Sequence, residues 1–269
     1  MFADTIKDLS DNSTNATLLL VGVARDVTDL IAEHQSIDRC LTQIMMPPMA
    51  KRELHDIIDK ALQKLGMTIA DAAAELIVSL SQGYPHYTHL LGQEATKQAI
   101  LTKRKNITVQ DASTAIKGAV KQTQGTVQEG YYKASEGQRK GSLYPKVLLA
   151  CALAEVDEMG YFRSADVSEP LSKITGEKYD IPNFSEHLDK FSTDSSRGPV
   201  LERWGAPRRF RYRFRNAMLK PFIIMKGLDD SILSGTLLEK LTGITIDSSP
   251  IAQDEKRQAS LFDEAGEKE

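Results

Sequence analysis

Two cysteines, one tryptophan and no long apolar run set the first limits on this 269-residue chain. Cys40 and Cys151 sit in apolar contexts and are too few for a disulfide framework, so they read as reduced core residues of a cytoplasmic protein. No stretch reaches the roughly 18–20 apolar residues of a membrane helix. The N-terminus has no basic region followed by an apolar one, so no signal peptide is expected. A large charge of one sign is also missing. The formal net charge of −3 excludes a polyanion binder by bulk charge, and any nucleic-acid surface must come from local clustering.

Two chemical absences weigh more. A phosphate-gripping loop needs Gly-x-x-x-x-Gly-Lys-[Ser/Thr], whose backbone amides and lysine both reach the phosphates, and the chain contains no Gly-Lys dipeptide. The acidic pair that would hold a metal at a strand end is absent too. Ala154-Glu155-Val156-Asp157-Glu158 imitates one. Leu148, Leu149, Ala152, Val156 and Met159 follow helical spacing, however, which places those acids on an exposed helix end. No repeat of 20–50 residues is visible.

What is present, 41% hydrophobic and 26% charged residues, suits a globular chain with room for two domains. Residues 2–9 read as the end of a helix. Residues 17–24 form a continuous apolar run behind the turn cluster 11–15, the pattern of a buried parallel strand. A helix over 26–39 and a strand over 41–46 complete one βαβ unit, stopped by Pro47-Pro48. Leu54, Ile57, Ile58, Ala61, Leu62 and Leu65 then form one helical stripe. Helices follow over 70–82, closed by Gly83, and over 85–103, opened by Pro85. A fourth opens with the capping box Thr108-Val109-Gln110-Asp111 and carries Ala112, Ala115, Ile116 and Ala119. The expected fold is mainly α: a partial α/β core remnant (1–49), a four-helix bundle (50–123), a connector (124–142) with one helical stretch near 131–135, a winged helix-turn-helix domain (143–228), and a polar, partly disordered tail (229–269). Within 143–228 the spacing predicts helices over 143–159, 165–175 and 184–191, and strands over 200–204 and 209–214.

The second strand is the chemical focus. Arg209, Arg211, Arg213 and Arg215 alternate with Phe210, Tyr212 and Phe214, which puts arginines on one strand face and aromatics on the other. Arg203, Arg208 and Arg197 are near in sequence, and Glu202 is the only acid between Arg197 and Lys226. Planar guanidinium forks on an outward face suit the phosphate backbone of duplex DNA. The helix expected to read DNA carries Asn183, Ser185, Glu186, His187, Asp189 and Lys190, a mixed set in which two acids repel phosphates. The arginines therefore also read as a surface that docks on acidic protein, or as a solvated face.

Residues Leu18 to Asp26, His34-Gln35-Ser36-Ile37-Asp38-Arg39, Ile44-Met45-Met46-Pro47-Pro48-Met49 with Glu53-Leu54, and Ser81-Gln82-Gly83-Tyr84-Pro85-His86 resemble, in that order, the Orc1/Cdc6-like branch of the AAA+ ATPases. The winged helix fits the same layout, and the resemblance covers about residues 1–227. It implies that 17–24 is the sensor-1 strand. Arg25 then stands where the family more often has Asn, Ser or Thr near the γ-phosphate, and it reads equally as a solvated strand-end arginine. Arg39 matches an arginine that acts on the neighbouring subunit's ATP, where a guanidinium stabilises the transferring phosphoryl group; a helix C-terminal cap is its other reading. Gly83, Pro85 and His86 stand where the lid faces the nucleotide, His86 near a position usually held by arginine. The same residues also read simply as a helix stop followed by a helix start. His86 and His89 lack a third ligand, so no metal is expected. By this resemblance both ATP-gripping motifs lie upstream of Met1. ATP and Mg belong to the complete protein, and this chain alone is not expected to hydrolyse ATP. A signalling-type ATPase whose winged helix is a docking or autoinhibitory module is the alternative.

Overall fold

The computed structural model describes residues 2–12, 14–19, 42, 44, 46–136, 142–207, 209–235 and 237. The described chain is mainly helical and falls into two compact units, 1–47 and 48–269.

In the first unit α1 (Phe2–Asp11) is two residues longer than the sequence predicts. Residues 17–19 belong to no strand, and Leu18 and Leu19 are exposed. Residues 42, 44 and 46 are likewise outside any strand, with Ile44 and Met46 exposed. This corrects the βαβ expectation at the residues that can be checked. A strand is held by partner strands, and one isolated pair cannot cover both of its faces. The remainder of the two expected strands and the helix over 26–39, with Arg25, Arg39 and Cys40, lie outside the described residues.

The second unit opens with α2 (Lys51–Leu65). Its start is fixed by the Glu53 carboxylate, which accepts from Ala50 N at 2.8 Å, and it stops at Gly66. The buried stripe is narrower than the spacing suggests: Leu54, Ile58 and Leu62 are buried, whereas Ala61 and Leu65 are exposed. β1 (Thr68–Ile69) leads to α3 (Asp71–Ser81) and α4 (Pro85–Leu101). β2 (Asn106–Ile107) leads to α5 (Val109–Gln122). The two short strands pair in parallel, Thr68 with Asn106 and Ile69 with Ile107, and so tie the ends of α2 and α4. Two-residue strands leave no periodic signal in the sequence. At α5 the Asp111 carboxylate accepts from Thr108 N at 2.8 Å and from both Arg104 guanidinium nitrogens at 2.8 and 2.7 Å. Burial raises the Asp111 pKa, but the Arg104 fork and the Thr108 donors outweigh it and leave the pKa below the ordinary value.

The expected connector holds a full helix. α6 (Gly125–Ser135) buries Val127, Tyr131 and Ala134 at i, i+4 and i+7. Beyond it α7 (Tyr144–Leu153) ends six residues earlier than the spacing predicts. Asp157 explains the early end: its Oδ1 accepts from Met159 N at 3.0 Å and Tyr161 N at 2.9 Å, closing a turn. Glu155, Asp157 and Glu158 are therefore loop residues rather than a helix end. β3 (Phe162–Arg163), α8 (Ser164–Thr175), α9 (Ile181–Thr193), β4 (Leu201–Trp204), β5 (Arg211–Phe214) and α10 (Leu219–Asp229) follow. The strands form an antiparallel sheet in the order β3-β5-β4, with Phe162 opposite Tyr212 and Leu201 opposite Phe214. β3 went unforeseen for the same reason as β1 and β2.

One apolar core runs through residues 50–123 and 143–228 alike. α10 packs on α3, α5, α6 and α7. Phe222, Ile223, Ile224 and Met225 are buried, and Tyr131 meets the Phe222 ring edge-on at 5.5 Å. A Cβ on Gly227 would lie 2.9 Å from Leu149, so glycine permits the close crossing of α10 and α7. Phe222→Ala should lower stability by about 3–5 kcal/mol. Because the core is shared, urea unfolding followed by far-UV and near-UV dichroism should still show one transition. Two separated transitions would show that the halves fold independently.

Candidate functional site

Gly83 sits where α3 gives way to α4, with φ +84°. Its carbonyl accepts from Met49 N at 2.9 Å. A Cβ on Gly83 would lie 2.5 Å from the Pro48 Cβ and 3.2 Å from the Met49 carbonyl. Both the positive φ and the crossing chain therefore demand glycine here. Beside this crossing lies a groove of about 300 Å³ with apolar walls from Pro48, Met49, Leu54 and Val78, and with Lys51 and Ser79 as polar members. The Ser79 hydroxyl is buried and has no hydrogen-bond partner among the described residues. Of the three residues expected to face a nucleotide, Gly83 lines the groove. Pro85 begins α4 and His86 is exposed on its first turn, edge-on to Tyr87 at 5.3 Å; neither lines it. Ser79 and Lys51, which do line it, gave no signal in the sequence because each occupies an ordinary helical position.

The arginine face differs more sharply from expectation. Arg211 pairs with Asp157 at 3.0 Å, and Arg213 with Glu202 at 2.9 Å. Arg213 also lies over the Tyr161 ring at 4.7 Å. Arg203 pairs with Asp189 and stacks over Phe210 at 4.4 Å. Arg215 Nε donates to the Leu201 carbonyl at 3.1 Å. Arg197 donates to the Ala134 and Glu136 carbonyls at 3.1 and 2.7 Å and covers the Tyr144 ring at 3.6 Å, capping the end of α6. Tyr212 and Phe214 are buried, as strand alternation requires. The acids that meet Arg211 and Arg203 come from the α7–β3 loop and from α9, so counting acids along the local sequence missed them. Residues 143–228 hold 14 lysines and arginines against 11 acids, so the domain carries only a modest net positive charge. Arg209 is exposed and makes no ion pair among the described residues, and Trp204 beside the hairpin tip is half exposed. Arg208 lies outside the described residues.

On α9 the exposed residues include Asn183, Ser185, Glu186 and Asp189, and Glu186 is bound to Lys190 at 2.6 Å. His187 is half-buried, with its ring 4.5 Å from that of Tyr144. Burial pulls its pKa below the ordinary 6.5, and Lys190 and Arg197 add to this against the opposing charge of Glu186. Among the described residues no group of three His, Cys, Asp or Glu could hold a metal, and no helix is long and apolar enough to cross a membrane.

Two outcomes follow. Gly83→Ala should destabilise the chain by about 2 kcal/mol or more, through positive φ and overlap with Pro48, read as a shifted urea midpoint. Burial lowers the His187 pKa in the fold, so the unfolded chain binds this proton more readily than the folded chain as pH drops through 6.5. Stability should fall as pH is lowered from about 7.5 to about 5, and His187→Phe should remove that part of the slope. No protein-family model, no curated protein and no solved structure matches this chain.

Proposed function

We propose that the chain is the helical-lid and winged-helix part of an AAA+ switch protein of the Orc1/Cdc6-like kind, and that its winged helix reaches duplex DNA through the hairpin tip. The observation that carries the reading is the order helix, strand, helix, helix, strand, strand over α7 to β5. The first strand joins the edge of the hairpin in a β3-β5-β4 sheet. That order supports reading the segment as a winged helix-turn-helix. ATP and Mg belong to residues outside this chain, which has no phosphate loop of its own. The groove at Gly83 offers apolar walls for one face of a base, with Lys51 at its edge. Arg25 and Arg39 lie outside the described residues, and their roles near the γ-phosphate and toward a neighbouring subunit rest on the resemblance alone. A nucleotide-driven shift of the lid would carry the winged helix with it, because α10 shares its core with both.

The internal ion pairs narrow the DNA contact. Exposed pairs of this kind are worth about 0–1 kcal/mol and can exchange partners, but Asp157, Asp189 and Glu202 would still repel phosphates. Arg209 and Arg215 are the described arginines of this hairpin left to contact DNA. The second reading, a protein-docking or autoinhibitory module, is favoured by those same pairs and by the acidic exposed face of α9.

Fluorescence anisotropy of a labelled duplex with the full chain across a KCl series separates the two. Two or three phosphate contacts predict a slope of log K against log salt of about −2 to −3. Arg209→Ala/Arg215→Ala should flatten it more than Arg211→Ala/Arg213→Ala does. No binding at low salt would overturn the DNA reading and leave the docking module.

A further inference from the structure

The end of the bundle where α2 and α4 stop carries a surface used by neither reading above. Leu65 closes α2 and is 58% exposed; Ile100 and Leu101 close α4 and are 56% and 75% exposed. The β1–β2 bridge pins these two chain ends side by side, and Thr68 N donates to the Lys105 carbonyl at 2.9 Å. Lys64, Lys103 and Lys105 are exposed around them and make no ion pair among the described residues. Arg104, between the last two, is already held by Asp111. Exposed large aliphatic side chains with exposed lysines next to them in the sequence fit a short acidic segment that brings large apolar side chains of its own.

This chain contains such a segment. In residues 252–269 the only large apolar residues are Leu261 and Phe262, followed at once by Asp263 and Glu264, with Glu267 and Glu269 beyond. Leu237, packed against the core, is separated from Leu261 by 24 positions. At about 3.3 Å per residue that is a reach of roughly 80 Å, and as a random coil roughly 27 Å. Either figure matches or exceeds the length of α4, which at 17 residues is about 25 Å.

We propose that Leu261 and Phe262 dock on Leu65, Ile100 and Leu101 of the same chain, with Asp263 and Glu264 facing Lys103 and Lys105. Tethering presents the segment at roughly millimolar effective concentration, so a contact too weak to hold two separate molecules is sufficient here. Bound, the segment covers the exposed end of the bundle. Released, it bares a basic apolar surface to other partners. The inference stands apart from the nucleotide and DNA readings and survives the failure of either.

Hydrogen exchange followed by mass spectrometry on the full chain tests it. Lys103 and Lys105 are exposed, so Lys103→Glu/Lys105→Glu should leave the melting temperature within a degree or so, and the same is expected of Leu261→Ala/Phe262→Ala. Each should speed exchange over residues 100–106 about fivefold relative to the parent chain, with α5 and α10 unchanged. Equal exchange in the parent and in Leu261→Ala/Phe262→Ala overturns the proposal. So does protection that vanishes on dilution, which would make the occupant a second copy.

Discussion

α10 is the element on which the larger unit depends. Its buried run Phe222-Ile223-Ile224-Met225 faces α3, α5, α6 and α7 together. Tyr87 of α4 donates its hydroxyl to the Met218 carbonyl at 2.8 Å, just before α10 begins. An apolar helix inserted between two helical groups turns what could be two small cores into one, and a larger core buries a larger share of its surface. The polar partners agree with this arrangement: burial holds the Tyr131 phenol at a pKa of about 12, and it stays neutral beside Phe222. Lys220, the second residue of α10, lies deep enough that burial lowers its pKa. Lys226 on the same helix also pays for burial, but Asp230 and Asp229 outweigh that and leave its pKa raised.

The sequence revealed the long helices well. The stripe through Leu54, Ile58 and Leu62, the proline opening α4 and the Thr108–Asp111 capping box each describe physics that is local to about one turn. Local signals also located α8, α9 and the hairpin to within a few residues. What the sequence hid was non-local or too short. β1, β2 and β3 have two residues each and depend on a partner far along the chain. α6 escaped because its apolar residues are only Val127, Tyr131 and Ala134 among glycines and polar groups, and their meaning appears only once α10 lies against them. The apolar run at residue 17 shows the opposite error. β-branched content and hydrophobicity indicate a strand, yet among the described residues 17–19 belong to no strand and Leu18 and Leu19 are exposed.

The candidate surfaces divide in the same way. Alternation correctly placed Tyr212 and Phe214 inside. It could not show that Asp157 and Asp189, 54 and 14 residues from their partners, would be brought to Arg211 and Arg203. A stripe of like charge in a sequence is therefore a statement about one strand, while the field at a surface is set by every element that folds up to it. Gly83 gives a related lesson. Its place at a helix boundary was plain, but the tighter demand comes from Pro48 and Met49, 34 and more residues earlier.

That crossing also constrains how the chain can change over generations. The overlap at position 83 is with the Cβ of Pro48, an atom that every residue except glycine possesses. Positions 48 and 83 therefore have room for a single Cβ between them, and neither can drift as though the other were absent. A glycine at 48 would remove that overlap, but the positive φ at 83 would still disfavour alanine or serine there. The constraint on 83 therefore outlasts any change at 48.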